Sequence, residues 1–154
     1  MPRRADVSLL FDLFVASQRV RRVLADGMAG AGMRADEYAV YSLLFEHSPL
    51  TATEMAHHLG LPLSTVLDYL KAIDDAGHLH RLRHPDDGRA VQLALNSRGV
   101  AAQMRANAHW EAVRKQIEGS LRMPKADVRA ALQALDHAAA AVLDTRQTQA
   151  TRRR

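Results

Sequence analysis

Three arginines, Arg81, Arg83 and Arg89, surround one short turn, PDDG, at residues 85–88. Apolar residues alternate on either side of it, with Leu79 and Leu82 before and Val91, Leu93 and Leu95 after. The pair Asp87-Gly88 is a strong hairpin signal, because it supplies the positive φ angles that a tight two-residue connection requires. A β-ribbon with arginines near its tip suits the minor groove of DNA, where the negative potential is concentrated. Ordinary solvated arginines would look the same in isolation, so the residues upstream must decide. There a helix starts near Pro62 and presents Leu63, Ser64, Thr65, Asp68 and Tyr69 at its exposed positions. Hydroxyls entering a major groove N-terminus first can reach phosphates or base edges.

Other reactive residue types form no comparable pattern. Six of the eight histidines lie within residues 35–100, at 47, 57, 58, 78, 80 and 84. His78 and His80 are expected to share one strand face, and with His84 they would add positive charge to the hairpin as pH falls. The chain has no cysteine, and its carboxylates and histidines stand at no recognised ligand spacing, so no metal and no cofactor are expected. The segment GMAGAG has neither a strand before it nor a Lys-Ser/Thr after it, which excludes a phosphate-cradling loop. No nucleophile elbow is present either. The chain is read as a non-enzyme. Tyr38, Tyr41 and Trp110 suit a core better than a ligand cleft.

The elements that must position these residues follow from periodicity. Residues 5–29 read as a helix with Val7, Leu10, Phe11, Phe14 and Leu24 on its apolar side, broken by Gly27, Gly30 and Gly32. Asp36 is the expected N-cap of a second helix that stops before Pro49. Thr51 or Thr53 caps a short third helix, with Gly60 as its stop. Pro62 takes the first position of the fourth, with Ser64 the other candidate cap. Val66, Leu67, Leu70 and Ile73 are its expected inward face, and Gly77 its end. From Ser97 the helical period returns, with Val100, Met104, Val113, Ile117 and Leu121 on one face. Pro124 interrupts, and Val128, Leu132, Leu135, Ala139 and Val142 form the seam of a last helix. The tail QTQATRRR is expected to fray.

The predicted fold class is therefore mainly α with a small β-hairpin wing, a winged helix-turn-helix with N- and C-terminal dimerisation helices. Residues 35–99 form the winged unit; residues 1–34 and 100–154 form the helical dimerisation region. A winged unit of 65 residues cannot cover every terminal stripe, and pairing of terminal helices between two chains is the economical solution. Apolar residues make up 47% of the chain, enough for a core. No apolar run approaches the roughly 20 residues of a membrane span. Asp6 and Asp12 interrupt the N-terminal apolar run, which argues against a signal peptide, and a soluble cytoplasmic protein is expected. Net charge is +3 over residues 1–34, −4 over 35–100 and +5 over 101–154. The central acidity lowers generic DNA affinity, since that scales with the phosphates neutralised.

The stretch from Asp36 to Gly99, including "LTATEMAHHLGLPLSTVLDYLKAIDDAGHLHRLRHPDDGRAVQLALNSRG", resembles the MarR family of transcription regulators. The shared features are a helix ending in Leu-Gly, a Ser-Thr-Val recognition helix, Gly-x-Leu-x-Arg, and Asp-x-Arg-Ala in the wing. The resemblance implies a homodimer on double-stranded DNA, with a pseudopalindromic operator and, most commonly, repression. It implies that Arg89 enters the minor groove, braced by Asp87; Arg81 and Arg83, on the strand before the turn, are expected to touch the backbone. It also implies release by a small aromatic ligand held between the dimerisation and DNA-binding helices. The chain departs from the family where Thr-Arg commonly follows Ser-Thr-Val: here stand Leu67 and Asp68. An acid there repels phosphates, although it can accept from a cytosine amino group. These two residues and the acidic centre motivate an alternative, a winged-helix dimer serving protein interaction or small-molecule binding with weak or no DNA binding.

Overall fold

The structure is a computed structural model that describes residues 8–85 and 90–152. Its elements are α1 (Leu9–Gly27), α2 (Ala35–His47), β1 (Leu50–Thr51), α3 (Ala52–Leu59), α4 (Leu63–Asp75), β2 (Leu79–Arg83), β3 (Val91–Leu95), α5 (Ser97–Gly119) and α6 (Lys125–Arg152). They fall into two units, Met1–Arg114 and Lys115–Arg154. None of the described helices is long and apolar enough to cross a membrane.

Local chemistry sets the helix boundaries in the first unit. Ser8 caps α1, its hydroxyl accepting from Phe11 N–H. Helix α2 starts two residues earlier than the sequence suggests. Its N-cap is Arg34, not Asp36, because the Glu37 carboxylate reaches back to accept from the Arg34 N–H at 2.9 Å. Asp36 then sits inside the first turn. Thr51 rather than Thr53 caps α3 in a reciprocal box: Thr51 Oγ1 accepts from Glu54 N–H at 3.2 Å, and Glu54 Oε2 accepts from Thr51 N–H at 2.7 Å. Gly60 closes α3 in the left-handed region at φ 62°, a conformation costly for a side chain with a Cβ. Pro62 is the N-cap of α4, one position before the expected one.

The sheet has an element that periodicity did not show. Two residues, Leu50 and Thr51, form β1 and pair antiparallel with β3 at Leu50↔Leu93 and Thr51↔Gln92, giving the order β1-β3-β2. A two-residue strand is too short to carry an alternation. Strands β2 and β3 pair from Leu79↔Leu95 to Arg83↔Val91. Leu93 is buried, whereas Val91, two residues towards the hairpin tip and past the end of β1, is exposed. His78 precedes β2 instead of alternating with His80 on it.

The core joins α2, β1, α3, α4, β3 and α5 through Val40, Tyr41, Leu44, Leu50, Met55, Val66, Leu70, Ile73, Leu93 and Ala102. Leu67 is not part of it. It is 50% exposed, one hundred degrees round the helix from Val66, so the expected inward placement was wrong. Met104 is likewise 62% exposed. The inward face of α5 within the first unit is Gly99, Ala102, Gln103, Ala106 and Val113, whose small members let the helix approach closely. Tyr38, Met28 and Ala106 make a second cluster, where Trp110 stacks on Tyr38 at 4.7 Å and the Tyr38 hydroxyl donates to Asn107 Oδ1 at 2.6 Å. In the second unit α6 continues to Arg152 without fraying at Gln147, since Ala, Gln and Arg favour helix with or without an apolar stripe. Lys125 Nζ there donates to Glu118 Oε2 at 3.3 Å.

Candidate nucleic-acid interface

Helices α3 and α4, joined by Gly60, Leu61 and Pro62, form the helix-turn-helix. Burial of Val66, Leu70 and Ile73 turns the opposite side of α4 to solvent. That side carries Leu63, Ser64, Leu67 and Asp68, all exposed, with Thr65 half-buried at its edge. Tyr69 is also half-buried. Its hydroxyl does not point outward but donates to Asp36 Oδ2 at 2.6 Å, tying α4 to the first turn of α2. Burial alone would push the Asp36 carboxyl up; the Tyr69 hydroxyl, the Arg34 guanidinium and nearby backbone N–H groups outweigh it and hold it below the usual aspartate value. The same bond pushes the Tyr69 hydroxyl up.

The basic groups beside α4 are largely engaged within the chain. Arg81 Nη2 donates to Asp74 Oδ2 at 2.6 Å, so strand β2 is clipped to the end of α4. Lys71 Nζ donates to Asp75 Oδ2 at 2.6 Å. Asp74 and Asp75, which in sequence look like a solvated acidic face, are thus partners of two cations. Arg83 is exposed at the end of β2 nearest the turn. Asp87 and Arg89, at the tip itself, lie outside the described residues.

The histidines separate into two environments. His47 stacks parallel to His58 at 5.9 Å, and His57 meets His58 edge-on at 6.3 Å. Among the described residues no group of three or more His, Asp or Glu side chains could hold a metal. His78 is half-buried, with its Nδ1 2.8 Å from the Tyr41 hydroxyl. Burial, then the charges of Arg98 and Arg105, push it below the usual histidine value, so it is not the acid-side source of wing charge that alternation suggested. These pairings had no local signal, since Tyr69–Asp36 and Tyr41–His78 are 33 and 37 residues apart.

Two cavities flank α2 within the first unit. One of about 240 Å³ is lined by Glu37, Tyr41, Ile73, His78 and Arg105 among others. One of about 520 Å³ lies between α1, the glycine loop and α2, with Leu24, Met28 and Trp110 inside and Arg21, Arg34 and Asp36 among its walls.

The MarR family model matches residues 35–91. TtmR, an HTH-type transcriptional regulator of Methylorubrum extorquens, is 28% identical over 98 residues, which make up 64% of this chain and 50% of TtmR. The chain thus spans about half the length of that relative. Among solved structures, the M. tuberculosis transcriptional regulator MOSR in complex with DNA superposes with a TM-score of 0.77 at 18% identity, over 88% of this chain and 98% of that one. CouR of Rhodococcus jostii, a repressor bound to a 23-mer DNA duplex, gives 0.70 at 26% identity, over 86% and 92%. The matched segment runs from the first residue of α2 to the first residue of β3 and holds the helix-turn-helix followed by β2. Over residues 35–91, the winged helix-turn-helix segment, the chain is similar to the MarR family.

Proposed function

We propose that this protein is a homodimeric DNA-binding regulator of transcription, a repressor in its simplest form, acting in the cytoplasm on a pseudopalindromic operator. The observation that carries this reading is the exposed face of α4, set directly before an arginine-bearing hairpin. Relatives named as transcriptional regulators and neighbours solved on DNA support it. Residues 35–99 bind the duplex, and residues 1–34 with 100–154 supply the dimer contacts. Leu63, Ser64, Thr65 and Asp68 face the major groove. Arg83 contacts the backbone, and Arg89, braced by Asp87, enters the minor groove. Arg81 and Tyr69 act in a second way: their side chains fix α4 against β2 and α2, and so set the angle at which it is presented.

A small aromatic effector fits this scheme. The cavity of about 520 Å³ offers Trp110 and apolar walls with two arginines, a combination suited to a flat molecule bearing a negative charge. Trp110 is the only tryptophan, so aromatic carboxylates that bind there should quench its fluorescence saturably. Unchanged fluorescence across a panel of them removes this part of the proposal.

Selection of genomic fragments with the purified protein tests the function. The expected result is enrichment of a pseudopalindrome whose half-sites are about one helical turn apart, lost steeply as salt rises. Arg89→Ala should weaken that binding at moderate salt. Absence of any enrichment at low salt overturns the reading and favours a winged-helix dimer that serves protein or small-molecule binding.

A further inference from the structure

The geometry assigns base readout by α4 to two apolar side chains and one carboxylate: Leu63 and Leu67 contact thymine methyl groups, and Asp68 accepts from the amino group of a neighbouring cytosine. This specificity rests on the DNA-binding reading above.

The chemical content of the exposed face carries it. Leu63 and Leu67 stand four residues apart, one above the other on the solvent side of α4, and are 44% and 50% exposed. Neither joins the core. Isolated exposed leucines are ordinary, but two in register on the first two turns of a helix-turn-helix second helix form a strip aimed where base edges would lie. Asp68 borders that strip and forms no ion pair among the described residues, whereas the other acids of α4, Asp74 and Asp75, are held by Arg81 and Lys71. The same two pairings occupy the cations beside the helix. The first two turns of this face therefore hold methyl groups, hydroxyls and a carboxylate, and the nearest ammonium group, Lys71, stands one turn further on and is paired with Asp75.

Such a face is complementary to few base edges. Thymine offers its C5-methyl in the major groove, against which leucine side chains pack. Cytosine offers an N4 donor beside an uncharged C5–H. Guanine offers only acceptors, N7 and O6, which a carboxylate repels; adenine sets its N6 donor beside the N7 acceptor. Leu67 and Asp68 are successive residues, so they reach neighbouring base pairs. The predicted half-site contains a thymine adjacent to a cytosine, with no guanine read by α4.

A duplex selected by the wild-type protein is rebuilt with each thymine in turn replaced by uracil, which removes only the methyl group. The expected result is at least one thymine per half-site whose replacement lowers affinity about fourfold, the factor matching about 0.8 kcal/mol for one buried methyl. That sensitivity should vanish in Leu67→Ala, a surface change that leaves the core intact. In Asp68→Asn, the preference at the neighbouring pair should move from cytosine to adenine, because an amide both donates and accepts. Selected duplexes that bind equally well with uracil throughout, or an unchanged base preference in both variants, overturn the assignment while leaving DNA binding in place. Failure of the wild-type protein to bind any duplex at low salt overturns the underlying reading instead.

Discussion

At the scale of single residues, the telling side chains are those whose partners lie far away in sequence. The Tyr69 hydroxyl and Asp36 carboxylate hold α4 to α2. Hydrogen bonds to charged groups contribute about 1.5–3 kcal/mol, but the Asp36 side chain is half exposed, and screening reduces this to about 1 kcal/mol. Tyr69→Phe should lower the urea midpoint by a corresponding amount at neutral pH. The folded-state value of Asp36 is depressed, so its contribution is complete above the unfolded value of about 3.9 and is lost as pH falls below it. The gap between wild type and Tyr69→Phe should therefore narrow in strongly acidic urea titrations. His78 follows the same sign. Its folded-state value is also depressed, so its neutral form stabilises the fold above the unfolded value of about 6.5, and that stability declines as pH falls through it. His78→Gln should flatten the decline in melting temperature between about pH 7 and pH 5. An equally steep decline in the variant would mean that other groups govern that range.

At the scale of elements, the junction between the hairpin and α5 is closely packed. Asn96 ends the wing and starts α5: its Oδ1 accepts from Gly99 N–H at 3.0 Å, while its Nδ2 donates to Gly77 O at 2.9 Å. This draws the backbone of α5 onto His78. A Cβ at Gly99 would lie 2.5 Å from His78 O and 3.1 Å from Leu95 Cδ2. The nearest atom is backbone and cannot rotate away. Gly99→Ala should thus destabilise the protein by about 1–3 kcal/mol, the cost of overpacking a filled site, despite the better helix propensity of alanine. Thermal unfolding measures this directly; a stabilised variant would show that the junction has room to yield.

At the scale of the whole molecule, α1 has no buried residue, yet Leu10 and Phe14 are 68% and 60% exposed and four residues apart. An apolar strip of this kind on a folded chain marks an interaction surface. If α1 serves the homodimer proposed here, Phe14→Asp should shift the sedimentation coefficient towards that of a monomer and weaken operator binding, which needs two half-sites. An unchanged dimer would remove α1 from the interface. A further expectation concerns salt. With Lys71 and Arg81 internally paired, the steep salt dependence of binding should come from the wing and Arg83, so Arg83→Ala should reduce the salt slope by about 1 while Lys71→Ala leaves it nearly unchanged.

The amino-acid sequence by itself determined the order of the helices and the place of the hairpin, since these are written in local chemistry. Gly60 and Pro62 punctuate the helix-turn-helix, the period changes after Gly77, and Asp87-Gly88 marks the hairpin. Helix faces were legible where large apolar residues repeat, as at Val66, Leu70 and Ile73. They were misread where the packing residue is alanine or glycine, as in α5, because a small side chain is equally at home on either face. Strand β1 escaped because two residues carry no period. Only the tertiary structure decided which charged and hydroxyl groups remain available for a partner. Arg81, Lys71 and Tyr69 look alike in sequence to groups that face DNA, yet each is held by a carboxylate, and two of the three partners lie on another element. Leu67 and Asp68, by contrast, stay open. Pairing between distant side chains depends on where the core places the helices, and that information is spread over the whole packing arrangement.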